Sequence, residues 1–127
     1  MYAVIWLALF EILLVLFPVF GFTLNIVFHG ILGVAILVFA FYIQRSVRRT
    51  SCPARIKRIV VTTFALAVFQ GVLGLALFAG IELSWGSIYS DIISFLHVVT
   101  SIAIITQASS SATAFDMWEE KEFQAAG

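Results

Sequence analysis

The sequence predicts an all-α integral membrane protein, an antiparallel bundle of four transmembrane helices. Three observations carry that expectation. Hydrophobic residues make up 62% of the 127 residues and charged residues only 11%, against about 25% charged in an ordinary soluble domain. Mean hydropathy is +1.11. Four stretches approach the ~20 mostly apolar residues that cross roughly 30 Å of hydrocarbon. So few charges cannot cover a surface facing water, and 13 Phe with 3 Trp exclude a solvated, disordered chain. A formal net charge of zero argues against a nucleic-acid surface. The one cysteine, Cys52, excludes an internal disulfide and a cysteine-based metal cluster.

The first span is expected over residues 2–20, interrupted by Glu11 and Pro18. It lacks a basic leading region and a small-residue cleavage pattern after Phe22, so it reads as a span and not a cleaved leader. Gly21-Phe22-Thr23 is a tight turn into the second span, 24–43. The connection Gln44 to Arg58 holds Arg45, Arg48, Arg49, Arg55, Lys57 and Arg58, six of the seven cations. A third span, 59–79, leads to a connection from Gly80 to Ile88 with Glu82 and Trp85 but no cation. The fourth span covers 89–112 and is followed by a charged tail, 113–127. Short loops rich in Lys and Arg stay cytoplasmic, which places both termini inside a plasma membrane and Trp118 at the inner headgroups. The tail reads as a solvated helix end before a docking handle. No repeat divides the chain, so residues 1–127 form one domain.

Ionisable groups within a bilayer are costly and usually functional. Both histidines fall inside spans. Counted from the outer side at 1.5 Å per residue, His29 lies ~8 Å deep in the second span and His97 ~12 Å deep in the fourth. In an up-down-up-down bundle these helices are diagonal. With neighbouring axes 8–10 Å apart, the diagonal is roughly 12–14 Å, a gap that two imidazoles alone leave open and a six-coordinate haem iron would fill. Gly30 and Gly33 near His29, and Gly71 and Gly74 on the third span, leave room for a flat porphyrin or for close helix packing. Asn25 precedes His29 by four residues, and Ser94 and Ser101 flank His97, so each histidine has a candidate acceptor for its other ring N–H. These serines have the alternative of bonding backbone carbonyls of their own helix. Asp91 is the carboxylate read as nearest to the pair, with no third ligand for a bare metal ion. Glu11 and Gln70 lie near mid-membrane, where a neutral acid bonded to Gln70 or backbone is simpler than a proton relay. The cation-free outer connections leave Ser87, Tyr89, Ser90 or Trp85 to meet haem propionates.

This pattern resembles a half-length version of the haem A synthase family. The matching pieces are His29 opening the second span, Gln70-Gly71-Val72-Leu73-Gly74 on the third, His97 on the fourth, and the basic middle connection. Together they cover residues 24–112. The resemblance implies haem b held by His29 and His97 near the outer face, with electron transfer or haem handling as the function. A compact haem A synthase oxidising haem O, and a cofactor-free oxidase assembly factor, are the alternatives. Thr23, Leu24 and Asn25 stand where that family carries an outer glutamate, and Gly30 stands in place of its arginine, so methyl oxidation does not carry over with haem binding. The implied partners are the lipid bilayer, a quinol or respiratory oxidase, and a second copy of the chain if two haems are needed.

Overall fold

The computed structural model describes residues 1–17, 20–82 and 86–126. Nearly all of them are helical: α1 Tyr2–Leu16, α2 Phe22–Arg48, α3 Ala54–Glu82 and α4 Ser87–Ala126. Three helices are long and apolar enough to cross a membrane, and Tyr2–Leu16 is a shorter apolar helix. The expectation of four full-length spans is corrected at this point. At 1.5 Å per residue, the 15 residues of α1 cover only about 22 Å.

Local chemistry accounts for each boundary that differs from the expected one. α1 stops at Leu16 because Phe17 precedes Pro18. A residue before proline is pushed out of the helical region, and Phe17 has φ −124° and ψ 84°. Gly21 caps the start of α2 with φ +78°, a backbone conformation that costs glycine little. The basic connection is far shorter than hydropathy suggests. Arg and Lys are good helix formers, so α2 carries Arg45 and Arg48 in its last turn. α3 begins just after Pro53, whose carbonyl accepts from the Ile56 and Lys57 amides. The tail likewise has no Gly or Pro before Gly127, and α4 continues through it for 40 residues in all.

α1 packs on α2 and α4, and α3 packs on the same two helices. α2 and α4 sit on the diagonal, with no Cα pair between them within 8 Å among the described residues. The central seam joins Val4 and Ala8, Ile36 and Ala40, Ala67, and Ile104 and Ala108, one or two residues from each helix. Four of these seven are alanine, and small residues let helix backbones approach closely. Thr63 and Ser111, also fully enclosed, donate to the carbonyls of Ile59 and Gln107 in their own helices. A second cluster, Val47, Cys52, Ile56 and Val60, is covered by Met1, Ile43, Ala114, Phe115 and Trp118. At this end the Tyr2 hydroxyl donates to the Asp116 carboxylate, so the start of α1 lies beside the late turns of α4.

The outward faces are apolar: Trp6, Leu75 and Phe95 are 70%, 71% and 68% exposed. Small and weakly polar groups fill the inside while large hydrocarbon side chains point out. Ala108, 0% exposed, tests that seam. Ala108→Leu is expected to lower stability by about 1–3 kcal/mol through overpacking, read as an earlier thermal midpoint in detergent. An unchanged midpoint would mean the seam is loosely packed.

Candidate functional site

Groups from all four helices meet near the ends of α1 and α3 and the starts of α2 and α4. His29, eighth in α2, and His97, eleventh in α4, face each other across the diagonal. Their ring centroids are 5.9 Å apart at an interplanar angle of 62°. The sequence reading expected a 12–14 Å gap that imidazoles could not bridge. The axes are indeed diagonal, but each side chain reaches inward from its backbone and the rings approach closely. The two rings therefore lie in edge contact at the centre of the bundle's diagonal.

Glu11 is the carboxylate at this site. Its Oε1 lies 3.7 Å from His29 Nδ1, too long for a hydrogen bond. Two sequence expectations are corrected together. Glu11 is not deeper than the histidines, because α1 ends at Leu16 and leaves Glu11 only five residues, about 8 Å, from the helix end. Nor is Asp91, exposed on α4, the nearest carboxylate to the pair. Gly33 permits the Glu11 approach: a Cβ there would stand 3.3 Å from Glu11 Oε1. On α3, a Cβ at Gly74 would stand 3.4 Å from His97 Cε1, so a larger side chain would press on the ring. The Gln70 main-chain carbonyl also lies against His97.

The buried polar atoms without a hydrogen-bond partner, among the described residues, are Glu11 Oε1, His29 Nδ1, Gln70 Oε1 and His97 Nδ1. Glu11, His29 and His97 belong to this cluster, and the Gln70 main chain adjoins it. Such groups are rare in folded proteins, and each calls for an explanation. Here two are ring nitrogens and two are oxygens, one atom from each helix, so the two kinds are equal in number. Ligating histidines almost always donate the second ring N–H to a carboxylate or carbonyl. Glu11 and Gln70 are acceptors of those types. The chain thus offers two imidazoles with an acceptor type for each, a donor set that would suit a group bringing its other ligands with it. Among the described residues, no three or more His, Cys, Asp or Glu side chains group as a metal site.

The other residues singled out from sequence lie at varied distance from this chemistry. Asn25 Oδ1 accepts from the Phe20 amide, so Asn25 fixes the turn before α2 and not His29. Ser101 donates to the Val98 carbonyl within α4, and Ser94 is exposed. Gly30 and Gly71 face outward, with nothing within 4 Å of a built Cβ. Ser87 is exposed and Tyr89 and Ser90 are half-buried at the start of α4, while Trp85 lies outside the described residues. Glu11 is the site residue whose role was missed. Its helical position gave no relation to His29, although Pro18 already marked the early end of α1. No family model, no curated protein and no solved structure matches the chain.

Proposed function

We propose that the chain is an integral membrane protein that binds one haem b through His29 and His97 and transfers electrons, or handles haem, near the outer face. The observation that carries this reading is the imidazole pair itself, two rings 5.9 Å apart on diagonal helices. The unpartnered atoms of Glu11, Gln70 and both histidines support it. In this reading the helices alternate in direction, α1 lies within the bilayer beside the three longer helices, and both termini are cytoplasmic. The apolar outward faces support insertion, since lipid solvates exposed Leu, Phe and Trp.

His29 and His97 would hold the haem iron. Bound haem supplies one-electron redox chemistry. Glu11 holds the His29 ring by accepting from Nδ1 after a small closure of their 3.7 Å separation. The Gln70 main-chain carbonyl, which lies against His97, would orient that ring, and Gly74 leaves the ring its space. With both imidazoles engaged by the iron, the site would favour electron transfer over ligand activation. Absorption spectra of the purified protein, oxidised and reduced, test the reading. A low-spin bis-histidine spectrum is expected. Colourless protein that stays colourless after haem is added would leave the assembly-factor reading in its place.

Orientation is tested separately by thiol labelling. Cys52 is 3% exposed, so its own shielding says nothing about sidedness. Exposed Ser51 and Ser87 are the reporters, each changed to Cys in a Cys52→Ala background. Ser87→Cys should label in intact cells, and Ser51→Cys only after permeabilisation. The opposite pattern would invert the topology.

A further inference from the structure

We infer that the cationic end of the bundle holds an anionic phospholipid headgroup, a phosphodiester, in the depression between the end of α2 and the start of α3. This rests on the membrane reading of the long helices and is independent of haem. The depression is open, about 320 Å³ in volume, and lined by Arg48, Lys57, Arg58, Val61 and Thr62.

Three cations share this space, and none has a carboxylate partner among the described residues. The Glu11 carboxylate lies at the opposite end of the bundle, beside His29. Lys57 Nζ spends one donor on the Thr50 carbonyl and keeps others, since an ammonium has three. Arg48, in the last turn of α2, complements the negative end of that helix. Lys57 and Arg58 do the reverse. They lie near the start of α3, which has no acidic residue in its first turn, so they add to the positive end of its dipole. The like charges repel until an anion lies among them.

The remaining lining selects the anion. Val61 is apolar, and the Thr62 hydroxyl is already committed to the Arg58 carbonyl. A phosphate over three cations with hydrocarbon below matches a lipid headgroup better than a free ion. Basic pockets between transmembrane helices on the cytoplasmic side are suited to such headgroups. Arg45, Arg49 and Arg55 lie outside this lining and serve as an internal control.

Native mass spectrometry of the full chain in neutral detergent tests the site, with phosphatidylglycerol, phosphatidylcholine or inorganic phosphate added. Saturable binding of phosphatidylglycerol is expected, with phosphatidylcholine at least about tenfold weaker. Arg48→Gln/Lys57→Gln/Arg58→Gln should lose that preference, whereas Arg45→Gln/Arg49→Gln/Arg55→Gln, of equal net charge, should keep it. Val61→Trp leaves every cation in place and should weaken binding by filling the depression. Equal loss in the two triple variants would reduce the effect to diffuse charge and overturn the site. Full displacement of lipid by equimolar inorganic phosphate would overturn the lipid assignment, and wild-type binding by Val61→Trp would place the headgroup elsewhere.

Discussion

His97→Ala is expected to abolish the sharp reduced α-band of a low-spin bis-histidine haem, and His29→Ala to do the same. In the proposed reading each substitution removes one of two strong nitrogen ligands, and the neighbouring amide and hydroxyl groups cannot replace it. Asn25 is committed to the Phe20 amide and Ser101 to the Val98 carbonyl, and neither amide nor hydroxyl is a strong iron ligand. The variants should therefore carry five-coordinate, carbon-monoxide-reactive haem or none, whereas the wild type is expected to bind carbon monoxide poorly. Asn25→Ala and Ser94→Ala should leave the spectrum unchanged, which separates ligand loss from general damage to this end of the bundle. A wild-type low-spin spectrum in both histidine variants would remove the ligand assignment.

The second large effect is expected at Glu11. Removing an acceptor that orients a ligating histidine typically costs 10–100-fold in metal affinity. Glu11→Leu should accordingly speed haem transfer to a competing acceptor by at least about tenfold, with the α-band shifted or broadened. Glu11→Gln keeps an acceptor oxygen at the same reach and should restore most of the retention. That rescue distinguishes an orienting role from simple filling, because Leu and Gln occupy similar volume. Equal haem loss from the Gln and Leu variants would make Glu11 a packing residue only.

That His29 and His97 meet was partly legible in the sequence. The two histidines at similar depth, one on each of two diagonal helices, follow from counting residues and from the order of short connections. Gln70 and Gly74 follow from helical spacing on the third span. Asn25 was misread because position i−4 places two side chains on one face without saying that the Phe20 amide, freed by the turn, competes for the same oxygen. Glu11 was misread because its depth was measured from Phe20 and not from Leu16. The four residues between those points are worth about one helical turn, enough to move a carboxylate from below the histidines to their level.

The sequence by itself determined that the chain is helical and apolar, in four segments, with its cations gathered between the middle two. Those properties depend on composition and order, which hydrophobic burial and backbone hydrogen bonding read residue by residue. Where each helix stops was decided by the folded structure. Hydropathy reports what surrounds a segment, whereas a hydrogen-bond ladder ends only at a Pro, a Gly or a competing cap, so α2, α3 and α4 run past their apolar stretches. The 5.9 Å between His29 and His97 is likewise tertiary. It depends on how closely helices settle along the Ala8, Ala40, Ala67 and Ala108 seam, and a spacing between side chains on different helices has no expression in the order of residues along one.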